Sequence, residues 1–293
     1  MLKVVKWLKR NLLESILFGF ALWAVLNWVQ TPSLKAMGVF LVLCGFLVWL
    51  LVSNQKAKKR ARIQRYVINT NDKFWLNKNI PFYENLNPAQ KKIFEHRIGL
   101  FLAEIRVTEI GKEHAEKSTA FYVASAAVIA FWGLPYWNYG ELSEVLVYPD
   151  NFNKDFEVAQ THRIQGQVYD GGLMDSTMSL SLSALELGFK NDSDKKNVGV
   201  HEFAHLLDKE DGSIDGLPFM MNKELREKWA QLAKSEMLKI QNGKSDINAY
   251  GGTNMAEFFA VILEYYKERP KLLQRKHPEM YSVLEGLFHY HEH

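Results

Sequence analysis

The feature that most constrains the fold of this chain is a stretch of twenty residues, 36–55, without a charged side chain. A helix of this length rises about 30 Å, the thickness of the hydrocarbon core of a bilayer. A shorter apolar stretch, residues 15–30, precedes it, and the turn signal Thr-Pro-Ser-Leu at 31–34 separates the two. The pattern predicts an N-terminal transmembrane helical hairpin, residues 1–60, that contacts the lipid bilayer through residues 12–55.

Basic residues flank this hairpin on its outer sides, whereas the connecting turn carries only Lys35. The flanking residues are Lys3, Lys6, Lys9 and Arg10 before it and Lys56, Lys58, Lys59, Arg60, Arg62 and Arg65 after it. The positive-inside tendency therefore predicts a multi-pass protein of the bacterial inner (cytoplasmic) membrane, with the remainder of the chain facing the cytoplasm. Two alternatives stay open: a cleaved signal peptide, although no small-x-small site follows the first stretch, and a buried helical pair in a soluble protein.

Composition limits the partners and the chemistry of the rest of the chain. A formal net charge of +3 is too small to indicate a nucleic-acid partner, and none is predicted. Cys44 is the one cysteine, so no disulfide forms within a single chain, and any metal site must use His, Asp and Glu. Such nitrogen and oxygen donors favour zinc at a catalytic site over a structural zinc held by thiolates.

After a basic connector, residues 61–80, the pattern of residues 81–293 predicts a mostly helical α+β domain with a small sheet. Asn87 and Pro88 mark a helix start, and residues 115–134 form an apolar helix whose polar first turn favours the protein core over a membrane. Residues 143–149 and 176–185 show the pattern of strands, the second as a half-buried strand that alternates apolar residues with serines. Helical periodicity then continues towards the C-terminus.

The sequence His201-Glu202-Phe203-Ala204-His205 is an H-E-x-x-H motif. Residues four apart lie on one face of a helix, so both imidazoles can bind a single ion. Glu202 lies about 100° around the helix from His201, where its carboxylate can accept a proton from an attacking water as the general base. The alternative is a surface helix that carries an unrelated pair of histidines.

A catalytic zinc ion needs a third protein ligand, and Glu257 is the candidate. It lies at the start of an apolar helix, where burial of an unpaired acid is unfavourable. Glu264, seven residues later, can instead be the ligand or accept a hydrogen bond from an imidazole N–H. Tyr250 can hydrogen-bond a developing oxyanion, but its chemistry alone does not separate it from a packed tyrosine. One Zn²⁺ per chain is predicted.

Four segments, "HEFAHLLDKEDGSIDGLP", "YGGTNMAEFFAVILEYY", "EVLVYPDNF" and "LSLSAL", resemble the Mlc titration factor A family of zinc-dependent peptidases. The similarity covers about residues 80–275 in order along the chain. The metal site of that family is related to that of the catalytic domain of anthrax lethal factor. The resemblance implies a zincin-like fold, with His201, His205 and Glu257 as zinc ligands, Glu202 as the general base and Tyr250 on the oxyanion side.

The resemblance also implies that Asp208 has a structural role or supports the metal site. It further implies that the "MSLSLS" strand is an edge strand along which a peptide lies. The function that follows is a membrane-anchored zinc peptidase acting on a peptide or protein substrate. The alternative is a zinc-containing binding protein that sequesters a regulatory protein partner, as the family name implies. Because the resembling soluble proteins lack the hairpin, the transfer of that partner role stays open.

Overall fold

The structure, a computed structural model, describes residues 20–21, 23–25, 27–65, 67–134, 139–150, 166–168, 176–191, 195–209, 212–218 and 220–289. The chain divides into two compact units, Met1–Gln64 and Arg65–His293. The first contains helix α1, Pro32–Arg65, except for its last residue, and the described residues 20–21, 23–25 and 27–28 are also helical. Part of the first predicted membrane helix, residues 15–19 with 22 and 26, lies outside the described residues.

Within the described part of the chain, one helical window, Pro32–Trp49, is long and apolar enough to cross a membrane. None of this window is buried, and large apolar side chains such as Phe40 and Leu41 are exposed. Helix α1 continues through the basic residues after 55, so the predicted connector begins within a helix. The connector ends in helix α2, Thr70–Asn79, where Asn69 and Asp72 form a reciprocal capping box.

The second unit is mostly helical. Its first helices are α3, Pro81–Glu84; α4, Pro88–Glu104; and α5, Lys117–Ala130. The predicted start of α4 is confirmed, because the Asn87 side chain accepts hydrogen bonds from the backbone N–H groups of Ala89 and Gln90. The predicted core position of α5 is also confirmed, since nearly all of its residues are buried.

A small sheet lies beside these helices, formed by β1, Arg106–Glu109; β2, Glu144–Tyr148; β3, Gly166–Val168; and β4, Thr177–Ser181. The strand order is β1-β2-β4-β3, with β1, β2 and β4 parallel and β3 antiparallel to β4. Strand β4 therefore pairs on both sides, and the expectation that it is an edge strand is wrong. Of the described strands, β3 and β1 lie at the edges.

The prediction of a half-buried strand over 176–185 is also wrong in two respects. Ser179 and Ser181 are fully buried, so both faces of β4 are covered. The strand ends at Ser181 because its hydroxyl accepts a hydrogen bond from the backbone N–H of Ala184, which starts helix α6, Leu182–Lys190.

The remaining helices complete the unit and carry the candidate site. They are α7, Val198–Asp208; α8, Lys223–Gln241; a 3₁₀ helix, Ala249–Gly252; α9, Met255–Glu268; α10, Pro270–Lys276; and α11, Pro278–His289. Helix α7 packs against α5 on one side and α9 on the other, and it also contacts β3 and β4. The helix with the H-E-x-x-H motif thus lies between the most apolar helix and the helix that carries Glu257.

Candidate active site

Helix α7 begins with a cap that connects it to α9. The Asn197 side chain accepts a hydrogen bond from the Val200 N–H at 3.1 Å, which satisfies a free donor of the first turn. The N–H of Asn197 itself donates to Glu264 Oε2 at 2.5 Å. The start of α7 is therefore bonded to the middle of α9.

Glycine lets α7 approach α5 closely. A Cβ atom at Gly199 would lie 2.5 Å from Ala126 Cβ and 2.8 Å from Leu185 Cδ2. Carbon atoms prefer separations of about 3.5–4.0 Å, so only glycine fits at this position without movement of the helices. Sequence reasoning used the "NVGV" segment only as an apolar face and missed both Asn197 and Gly199. The sequence did contain a signal for them: an Asn that can cap a helix, followed two residues later by a Gly in the first turn.

The structure brings His201, His205 and Glu257 together. The two imidazole centroids are 4.9 Å apart. Glu257 Oε2 lies 2.9 Å from His201 Nε2 and 3.4 Å from His205 Nε2. Glu257 reaches this position from the first turn of α9, where its backbone N–H is capped by the Asn254 side chain at 2.9 Å.

These three side chains fit a divalent metal ion. Each offers one ligand atom, and the three atoms lie within 4.8 Å of one another. Two imidazole nitrogens and one carboxylate oxygen form a donor set that binds zinc and leaves a fourth position open. The hydrogen bonds between the carboxylate and the imidazoles are contacts that an ion between them would replace.

Glu264 lies on the other side of His201. Its Oε1 is 2.8 Å from His201 Nδ1, and the side chain is buried. With a metal ion bound at Nε2, a carboxylate at Nδ1 would hold the proton of the neutral imidazole on that nitrogen and leave the Nε2 lone pair free for the ion. Of the two roles that the sequence left open for Glu264, this geometry corresponds to the acceptor for an imidazole N–H.

Opposite charges dominate the electrostatics of the cluster. Burial alone lowers the pKa of His201, but the hydrogen bonds to Glu257 and Glu264 outweigh burial and raise that pKa to about 10. For Glu257, burial alone raises the pKa, but hydrogen bonds from His201 and His205 hold it well below its usual range. The site therefore favours a carboxylate next to positive charge, as a cation site requires.

Glu202 is buried beside the cluster and contributes no atom to the group of three ligand atoms. Burial raises its pKa above the ordinary value, and the charges of His201 and His205 oppose the rise. A carboxyl group with a raised pKa accepts a proton near neutral pH more readily than an exposed one.

Tyr250 lies on the 3₁₀ helix at the exposed side of the cluster, with 53% of its surface accessible. Its ring centroid is 5.8 Å from that of His201. Partial burial, the charge of Glu257 and a hydrogen bond to it raise the pKa of Tyr250 to about 12. The phenol is thus a protonated donor at neutral pH.

The comparison with known proteins places these residues in a family. Residues 54–289 match the family model described as glucose-regulated metallo-peptidase M90. An uncharacterized protein of Synechocystis sp. is 30% identical over 227 residues, which cover 73% of this chain and 81% of that protein. The Mlc titration factor A proteins of Escherichia fergusonii and Klebsiella pneumoniae are each 26% identical over 224 residues, covering 69% of this chain and 80% of each relative.

The matched region contains the whole of the second unit up to α11, including every residue of the cluster. The resemblance to the Mlc titration factor A family is thereby confirmed. The family model matches far more than half of the chain, including both helices that supply the candidate ligands. The chain belongs to the glucose-regulated metallopeptidase family M90.

Proposed function

We propose that this protein is a zinc-dependent peptidase with a zincin-like catalytic domain that hydrolyses peptide bonds. The observation that carries the proposal is the convergence of one ligand atom each from His201, His205 and Glu257 within 4.8 Å, with Glu202 buried beside them. Membership of a metallopeptidase family supports the same reaction class. Zinc held by these ligands would supply Lewis acidity that activates a water and polarises the scissile carbonyl.

Side chains of the protein carry out proton transfer, oxyanion stabilisation and orientation of a ligand. Glu202 accepts the proton of the attacking water at a carboxylate oxygen and then delivers it to the leaving amine. Tyr250 donates its phenolic hydrogen to the carbonyl oxygen as negative charge develops there. Glu264 keeps the His201 ring oriented through the 2.8 Å contact at Nδ1.

An extended peptide is expected to bind along β3 rather than along β4. Strand β3 lies at one edge of the described sheet, and α7 packs against it. Backbone N–H and C=O groups at an edge strand can pair with an added strand, which provides affinity independent of side chains. This placement brings the substrate backbone next to the helix that carries His201 and Glu202.

The test combines metal analysis with cleavage of a peptide library by the purified full-length protein, with and without chelator. We expect one zinc per chain and cleavage that chelator abolishes and added zinc restores. Glu202→Gln is expected to retain zinc and to reduce kcat by about 10²–10⁴-fold. Glu227→Gln, on the exposed face of α8, is the matched control and keeps full activity. Cleavage by Glu202→Gln at the wild-type rate would show that the assigned general base is wrong.

A second candidate function is sequestration of a regulatory protein, which the name of the Mlc titration factor A relatives favours. The same Glu202→Gln variant separates the two functions, because a binding role does not need a general base. Sequestration would be favoured by two results together. Wild type and Glu202→Gln would capture the partner protein equally, and zinc-replete wild type would cleave no peptide.

We further propose that residues 1–60 form a transmembrane hairpin that anchors the peptidase on the cytoplasmic side of a bacterial inner membrane. The exposed apolar window Pro32–Trp49 supports one span. A Cβ atom at Gly38 would lie 2.8 Å from Val25 Cγ1, so the helical residues before the turn pack closely on α1. Small residues permit such close helix packing in membranes.

Reporter fusions test this topology. Alkaline phosphatase fused within residues 31–35 is expected to be active outside the cytoplasm, whereas a fusion after His293 is expected to be inactive. An active C-terminal fusion would refute the proposed orientation. Recovery of the full-length protein in the soluble fraction would refute the anchor itself.

A further inference from the structure

Two buried polar atoms on α7 lack a hydrogen-bond partner in the structure. They are His205 Nδ1 and Asp208 Oδ1, on residues that are 8% and 1% exposed. Residues three apart on a helix are neighbours on its surface. The two atoms form no hydrogen bond with each other in the structure. A buried donor and a buried acceptor on the same face of one helix can nevertheless satisfy each other after a small side-chain movement or through one bridging water.

The second oxygen of Asp208 has a fixed role. Asp208 Oδ2 accepts a hydrogen bond from the Gly216 N–H at 2.6 Å. The carbonyl of the same Gly216 accepts from Trp229 Nε1 at 2.9 Å, which connects this turn to α8. The carboxylate therefore cannot rotate freely, and its Oδ1 stays buried.

Gly216 also lies against the helix that carries the third candidate ligand. Its φ is +76°, and a Cβ atom there would overlap the backbone of Met255 and Ala256 in the first turn of α9. Only glycine permits this approach. Glu257 is the next residue of the same turn. Asp208 is thus connected through one backbone contact to the helix of Glu257.

The chemistry of imidazole makes the unpaired nitrogen of His205 significant. A neutral imidazole that binds a metal through Nε2 must carry its proton on Nδ1, and a buried N–H without an acceptor is unfavourable. For His201 the acceptor is Glu264, 2.8 Å from Nδ1. Among the described residues, no such acceptor contacts His205 Nδ1.

We propose that Asp208 is the positioning residue for His205: its Oδ1 accepts the Nδ1–H, directly or through one buried water, when the site binds zinc. Its Oδ2 meanwhile holds Gly216 against the first turn of α9. The Asp208 carboxylate would then fix both the tautomer of His205 and the position of α9, the helix that supplies Glu257. This inference rests on the zinc site of the proposed function but does not require peptide cleavage.

The test is the zinc affinity of full-length Asp208→Asn, measured by competition with a chromophoric chelator. The amide has one oxygen, and that oxygen still accepts from the Gly216 N–H, so the melting temperature without zinc stays close to that of wild type. The amide NH₂ then faces His205 Nδ1 and favours the tautomer with its proton on Nε2. We expect zinc to bind about 10–100-fold more weakly.

Asp215→Asn is the matched control. Asp215 lies in the same turn, and its Oδ1 accepts from the Leu217 N–H at 2.9 Å, a bond that an amide oxygen preserves. The substitution removes the same charge near the site without touching His205, so zinc affinity should stay within about twofold of wild type. Wild-type affinity in Asp208→Asn, or an equal loss in both variants, would overturn the proposal.

A second measurement does not depend on folding of the variant. In a crystal structure of the zinc-loaded wild type, His205 Nδ1 should lie about 2.7–3.2 Å from Asp208 Oδ1, or both atoms should contact one water. An Nδ1–H that donates to any other acceptor would refute the inference. Zinc-replete wild type that cleaves no peptide would refute the proposed function alone, whereas wild type that binds no zinc would refute both.

Discussion

Replacement of Gly199 by Ala tests the close packing of α7 on α5. Helix propensity alone favours the change by about 1 kcal/mol, because Gly is a poor helix former. Packing opposes it: the new Cβ would lie 2.5 Å from Ala126 Cβ and 2.8 Å from Leu185 Cδ2. Restoring contacts of about 3.5 Å requires the two helices to separate by roughly 1 Å.

The packing effect is expected to exceed the propensity effect. Overpacking of a core costs about 1–3 kcal/mol, and the Ala126 methyl is attached directly to a helix backbone and cannot rotate away. We therefore expect the free energy of unfolding to fall by about 1–2 kcal/mol, despite the better helix former. In a unit of this size, this corresponds to a decrease in melting temperature of about 2–8 °C.

Gly286→Ala is the matched control. Gly286 lies within α11, where a Cβ atom would be 3.5 Å from Leu225 Cδ1, an ordinary van der Waals contact. This variant keeps the propensity gain without the clash and should be more stable by up to about 1 kcal/mol.

The assay is urea unfolding of the full-length protein in a non-ionic detergent with chelator present, followed by tryptophan fluorescence. Both variants should show the m-value of wild type, so that the midpoints report stability alone. If Gly199→Ala unfolds at the same or a higher urea concentration than wild type, α7 does not approach α5 as closely as described. The position assigned to the H-E-x-x-H helix would then be wrong.

Two further predictions concern acids that contact site elements. In Asp246, burial alone raises the pKa, but hydrogen bonds from His277 and Tyr265 outweigh burial and hold the pKa well below its usual range. Its contribution is therefore fully present above the unfolded pKa near 4 and declines as pH falls from there towards the lower folded pKa. Asp246→Asn should lower stability by about 2 kcal/mol at pH 7 and by less near pH 2.5, measured by urea unfolding. A constant difference between the two pH values would contradict this cause. Glu264→Gln should weaken zinc binding by about 10–100-fold in chelator competition. An amide NH₂ facing His201 Nδ1 disfavours the tautomer with its proton on Nδ1, which is the one that binds a metal through Nε2. Unchanged zinc affinity would show that Glu264 only anchors Asn197.

Local signals predicted the parts of the structure that depend on local chemistry. The Asn87-Pro88 pair predicted the start of α4, because a capping side chain and a fixed φ act within one turn. The four-residue spacing of His201 and His205 predicted a shared helix face for the same reason. The polar first turn of residues 115–134 predicted a core helix instead of a membrane span, and α5 is buried accordingly.

Contacts between distant segments were not predictable from one sequence. The alternation of apolar residues and serines in β4 indicated a strand with one exposed face, but Ser179 is fully buried, and helices α6 and α7 both contact this strand. The periodicity of α9 placed Glu257 and Glu264 near one face of that helix. It could not show that one contacts His201 Nε2 and the other Nδ1, which depends on where α7 crosses α9.

The geometry of the candidate ligands depends on two close backbone approaches, one near each end of α7. At the N-terminal end, Gly199 allows contact with α5, and beyond the C-terminal end Gly216 allows the Asp208-anchored turn to touch the first turn of α9. Neither approach involves the candidate ligands themselves, yet together they position the helices that carry His201, His205 and Glu257. A side chain at either glycine shifts a whole helix, and an ion with strict bond lengths is more sensitive to such a shift than the apolar core is. Substitutions at these two glycines should therefore reduce zinc affinity even where the protein remains folded.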